Sequence, residues 1–140
     1  REGTQDIDIL RPSNDELLIQ LSKEIAEESG EVAPNWLNSD SSVFLSEIPI
    51  PVDWDLRVVE KFNGSNLKVS VLAKEDLLFT KISSHLDREM DEEDIKEIGP
   101  NLELFDKTIE LIKSHKKYQT DIMAVKIHTL KTRLGFNDDE

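Results

Sequence analysis

The longest continuous signal in the chain is helical. From Lys74 to Gly135 apolar residues recur at three- and four-residue spacing through "KEDLLFTKISSHLDRE", "MDEEDIKEIG", "NLELFDKTIELIKSHKK" and "YQTDIMAVKIHTLKTRLG". Gly99 and Pro100 break the run, and Gly135 caps its end. Strands must therefore come from the first half. There "TQDIDIL" alternates as a strand, and "RPSNDELLIQLSKEIAEESG" predicts a helix with Ser13 as N-cap, Glu16 completing a capping box and Gly30 as the stop. Residues 31–52 read as irregular, with room for a strand in "SVFLSEI". "VDWDLRVVEKF" predicts a short helix starting near Asp53, and "NGSNLKVSVL" a turn followed by a strand over 67–72. Strands early and helices late predict an α/β (α+β) class with a small sheet. Residues 1–140 are expected to form one domain, α/β to residue 98 and helical over 99–140.

A chain of 140 residues can bury a core of its own. The predicted core is Leu17, Leu21, Ile25, Val69, Val71, Leu77, Leu78, Ile82, Leu104, Ile109, Ile112, Ile122, Val125 and Leu130. Cysteine is absent, which excludes disulfides, thiolate zinc sites and a thiol nucleophile, and fits a cytoplasmic location. No apolar run approaches the roughly 20 residues of a membrane span, so no membrane partner is expected.

The formal charge of −13 is unevenly spread. Between Lys113 and Asn137 lie Lys113, Lys116, Lys117, Lys126, Lys131 and Arg133 against the single acid Asp121. Two explanations stay open: a solvated helix face, or a docking surface for phosphates or an acidic partner.

Asp6 and Asp8 occupy alternate positions of the first strand, so their carboxylates share a face, about 7 Å apart along the chain. Two such groups can converge on metal ions about 3.5 to 4 Å apart. Hard oxygen donors suit Mg²⁺. The plainer alternative is the solvated edge of a half-buried strand.

"GTQDIDIL" resembles the Asp-hydrophobic-Asp-hydrophobic signature of the nucleotidyltransferase superfamily. "DWDLRVV" and "LKVSVLAKEDLLFTKISSHLDREMDEEDIKEI" resemble its minimal bacterial members of the toxin–antitoxin and abortive-infection kind, through Leu72, Glu75, Asp76, Leu77, Lys81, Arg88, Asp91 and Asp94. The resemblance covers roughly residues 3 to 98. It implies a small mixed sheet with flanking helices, preceded by an N-terminal helix and a Gly-rich turn expected upstream of Arg1. It also implies a nucleotide transferred from a nucleoside triphosphate to a protein or RNA hydroxyl, with Asp6 and Asp8 holding Mg²⁺. Lys81 and Asp91 would serve catalysis, and Lys81 and Arg88 would bind the nucleotide. Asp6 and Asp8 are then expected to face one cleft with Lys81 in reach. A third carboxylate would come from Glu47, Asp53 or Asp55.

The alternative is a catalytically weak or inactive member acting as an acidic antitoxin or other protein partner. Lys81 is equally readable as a surface lysine paired with Asp76 or Asp87, and Arg88, Asp91 and Asp94 as an ion-pair cluster joining two helices, with Asp91 as an N-cap. Trp54 and Arg57 read as a packing pair. His85, His115 and His128 are far apart and are assigned no chemistry.

Overall fold

A computed structural model describes residues 7–10, 15–39 and 50–136. The chain divides into two compact units, residues 1–49 and 50–140. The class is α+β, with five α-helices and two small sheets among the described residues.

In the first unit, β1 (Ile7–Asp8) pairs parallel with β2 (Leu37–Asn38), Ile7 opposite Leu37 and Asp8 opposite Asn38. Parallel neighbours need a crossover. That crossover carries α1 (Asp15–Ser29), which ends where Gly30 takes φ +64° and its N–H donates to the Ala26 carbonyl. The predicted stripe of Leu17, Leu21 and Ile25 is exposed, whereas Ser22 and Ala26 are buried. A shift of one position turns a helix face by about 100°, and the partner explains the direction. The Trp36 indole N–H donates to the Ser22 carbonyl at 2.9 Å, which sets that ring beside the Ser22 turn of α1. Ser13 and "SVFLSEI" lie outside the described residues.

The second unit opens with a 3-10 turn, Trp54–Leu56, not the predicted helix. The following residues are strand: β3 (Val59–Asn63) pairs antiparallel with β4 (Lys68–Val71). β-branched Val58 and Val59 favour that outcome over helix. Val59 lies opposite Val71 and Phe62 opposite Val69, and a register shift between Glu60 and Phe62 puts both pairs on one face. The Phe62 ring sits over Gly64, where a Cβ would come within 2.8 Å of it. Val69 and Val71, predicted as core, are exposed.

Four helices follow: α2 (Lys74–Arg88), α3 (Glu92–Ile98), α4 (Leu102–Lys113) and α5 (Asp121–Arg133). Asn101 and Thr120 cap α4 and α5 by accepting from the N–H groups of Leu104 and Met123. The core is theirs: Leu78, Ile82 and Leu86 of α2, Ile95 of α3, Phe105 and Ile112 of α4 and Leu130 of α5 are fully buried. Ile122 and Val125 are exposed instead, because α5 buries the stripe of Ile127 and Leu130. No helix among the described residues is long and apolar enough to cross a membrane.

Candidate functional site

Lys81, Ser84, His85 and Arg88 are spaced i, i+3, i+4 and i+7, so they share one face of α2. The chain then reverses through two non-glycine residues in the left-handed region, Glu89 at φ 56° and Asp91 at φ 68°, before α3 begins. Such backbone persists only where its surroundings over-determine it. All four side chains of that face supply the restraint. His85 Nδ1 lies 2.7 Å from the Met90 carbonyl and donates to it, because a carbonyl only accepts. The Ser84 hydroxyl donates to Asp91 Oδ2 at 2.7 Å. The Lys81 ammonium lies 2.8 Å from Asp94 Oδ2 and 3.5 Å from Asp91 Oδ1. Arg88 donates to the Ser84 hydroxyl and lies 3.7 Å from Asp91 Oδ2.

Asp91 occupies the N-cap position of α3, as expected, yet its carboxylate makes no cap and turns to α2 instead. Burial pushes this carboxyl up; the Ser84 hydrogen bond, Lys81 and Arg88 outweigh it and leave the group below the usual carboxylate range. Next to Lys81 lies an open surface depression of about 300 Å³ lined by Leu77, Lys81, Asp94, Glu97 and Ile98. The structure thus brings Lys81, Arg88, Asp91 and Asp94 together. It pairs Lys81 with neither Asp76 nor Asp87.

Those two acids have other partners. Asp76, fully buried in the first turn of α2, takes a bidentate contact from Arg57, at 2.9 Å from Nε and 2.7 Å from Nη2. That hydrogen bond holds the Arg57 guanidinium above its usual value. The guanidinium also donates to the Val52 and Pro51 carbonyls, so Arg57 clamps the start of the second unit onto α2. Asp87 accepts from Lys117 at 2.8 Å and from the Tyr118 hydroxyl at 3.2 Å. Burial and then the Asp87 charge push the Tyr118 hydroxyl well up.

The basic C-terminal stretch is largely consumed in the same way. Lys126 donates to the Leu86 carbonyl at the end of α2 and lies 3.4 Å from Glu89; Lys131 faces Asp106 at 3.5 Å, and Arg133 pairs with Glu92 at 3.0 Å. These cations join helices.

Of the paired strand acids, Asp8 is exposed on β1, and Asp6 lies outside the described residues, as does Glu47. The expected common cleft rests on Asp6 and so falls outside them too. Asp53 and Asp55 are exposed around the 3-10 turn. The oxygen donors of Asp8 suit magnesium chemically, and no group of three or more metal-ligating side chains forms among the described residues. Ser84 is not singled out by the sequence, and His85, assigned no chemistry there, holds the Met90 carbonyl in the structure. The signal that could have found them is their spacing from Lys81 on a helix whose other stripe is apolar. Comparison of the chain with family models, curated proteins and solved structures gave no match.

Proposed function

We propose that this chain is a nucleotidyltransferase-like protein that transfers a nucleotide from a nucleoside triphosphate to a protein or RNA hydroxyl. One observation carries it. Lys81, Arg88, Asp91 and Asp94, which resemble the superfamily pattern, converge on one cluster, and Lys81 and Asp94 line an open depression beside it. An ammonium has three N–H donors, of which the carboxylates of Asp94 and Asp91 take two. The third can meet a phosphate oxygen without breaking the pair. Lys81 is about a third exposed, so a ligand can reach it. By the resemblance alone, Asp6 and Asp8 would be the holders of Mg²⁺, an ion that would supply charge neutralisation in phosphoryl transfer. Arg88 would add a second cation, and Asp91 would keep Lys81 aimed.

The exposed apolar face of the β3–β4 hairpin favours a second function, binding of a protein partner such as the other member of a toxin–antitoxin pair. Val59, Phe62, Val69 and Val71 are each at least 38% exposed, and contiguous apolar surface marks interaction sites. Titration calorimetry with each nucleoside triphosphate, with and without Mg²⁺, separates the two. Mg²⁺-dependent binding of at least one triphosphate, weakened about tenfold or more by Lys81→Ala as loss of a charge-assisted bond requires, supports the transferase. A folded protein that binds none leaves the partner protein ahead.

A further inference from the structure

We infer that Ser84 is a positioning residue: its hydroxyl, oriented by Arg88, fixes the Asp91 carboxylate so that the Lys81 ammonium is aimed rather than merely paired. A serine inside a helix ordinarily donates back to a carbonyl of the preceding turn, as Ser22 does to Ile19 at 2.8 Å. Ser84 does not; its one proton goes to Asp91 Oδ2. A hydroxyl has one donor and two acceptor positions, and the donation from Arg88 fills an acceptor position. The direction of the chain from Arg88 through Ser84 to Asp91 is thereby set. Asp91 itself sits on left-handed backbone with its carboxylate gripped at both oxygens, Oδ2 by Ser84 and Oδ1 by Lys81.

The geometry around Lys81 explains why this grip matters. Asp94 at 2.8 Å is its close partner, and Asp91 at 3.5 Å is the looser one. One carboxylate fixes a distance from an ammonium; two fix a direction. With Ser84 gone, Asp91 Oδ2 keeps only the distant Arg88 among the described residues, and Lys81 can rotate about its contact with Asp94. A purely structural staple would behave differently, lowering stability without altering the state of the Lys81 ammonium. That the aimed donor serves a phosphate rests on the function proposed above. The aiming itself does not.

The test is nitrogen-detected NMR of the lysine ammonium groups in the full chain, with the Lys81 signal assigned by its loss in Lys81→Arg. The parent should show a Lys81 signal in slow exchange with water. Ser84→Ala should speed that exchange about tenfold, the scale of one hydrogen bond to a charged group, Ser84→Thr should restore it, and Arg88→Ala should fall between. An absent parent signal, or an unchanged signal in Ser84→Ala, overturns the proposal, as does equal loss in the alanine and threonine variants. If Ser84→Ala does not fold, an unchanged Lys81 signal in Arg88→Ala overturns it, and accelerated exchange there supports it. Triphosphate titration of the same proteins forms the separate arm. Affinity about tenfold weaker in Ser84→Ala and recovered in Ser84→Thr extends the role to the ligand. A parent that binds no triphosphate removes the transferase while leaving the Lys81 signal to decide on Ser84.

Discussion

The β3–β4 hairpin and helix α2 are built from similar apolar residues, yet their fates diverge. Leu78, Ile82 and Leu86 of α2 are at 0% exposure, whereas Val59, Phe62, Val69 and Val71 range from 38% to 54%. Periodicity is sound in both: α2 repeats at helical spacing, and the hairpin gathers its apolar side chains on one face. The difference lies in what surrounds them. α2 packs against α3, α4 and α5, while the principal packing of β3 and β4 among the described residues is with each other. Local pattern selects the face that can be buried, and tertiary partners decide whether it is. The polar cluster stands on the buried element, where neighbours hold side chains still; the candidate partner surface stands on the exposed one.

The largest effect should come from the clamp joining the start of the second unit to α2. Arg57→Ala leaves the fully buried Asp76 carboxylate without its bidentate partner. We expect a loss of about 3 kcal/mol, near the low end for breaking a buried pair because the Arg57 side chain is itself a third exposed. Urea unfolding monitored by circular dichroism measures it, and a loss under about 1 kcal/mol would mean that water already reaches Asp76.

A matched pair of truncations tests the comparison directly. Ile82→Ala should cost about 2 to 5 kcal/mol, because it opens a cavity among fixed neighbours. Phe62→Ala removes a larger side chain from a half-exposed place over Gly64, and should cost about 1 kcal/mol or less. Equal losses in chemical denaturation would show that the hairpin face is covered in solution, which would sharpen the case for a bound partner or a second copy.

How much of this was legible in the sequence follows the same divide. The four late helices were readable from their apolar spacing and because Gly99, Pro100 and Gly135 punctuate them, each acting within a few residues, while the Asn101 and Thr120 caps emerge only from the structure. The class followed from that order. The β3 strand was misread because "DWDLRVVEKF" carries apolar residues at spacings that suit a helix, and only pairing with β4 settles the matter. The α1 stripe was displaced by one position through Trp36, a contact fourteen residues away in sequence. At the cluster, residue identities came from a resemblance, and the ion-pair cluster of Arg88, Asp91 and Asp94 joining two helices was readable as well. Lys81, readable as a partner of Asp76 or Asp87, instead meets Asp94 and Asp91. Nothing local says that Asp91 turns from capping α3 to face Ser84, or that Asp76 belongs to Arg57.

The smallest effect concerns charge, and it contrasts an ion pair of each region. Glu60 and Lys68 pair across the hairpin at 3.0 Å with both side chains well exposed, so Glu60→Gln should change stability by about 0 to 1 kcal/mol. Asp91 differs because burial is opposed by Ser84, Lys81 and Arg88, and its carboxyl lies below its ordinary 3.8 when folded. A carboxylate with a depressed folded pKa stabilises the native state while it is ionised. Its contribution is complete above the unfolded pKa, and is lost as pH falls through the lower folded value. Asp91→Asn lacks that contribution at every pH. The difference in melting temperature between parent and Asp91→Asn should therefore hold steady from neutral pH to about pH 5 and shrink on acidification through about pH 4 and below. Glu92, whose carboxyl is lowered by Lys96 and Arg133, is present in both proteins and largely cancels in the difference. A difference that stays constant down to about pH 3 would mean that the ionised form of Asp91 gains nothing on folding, and that the turn is held by its backbone and His85 instead of by the charges converging on it.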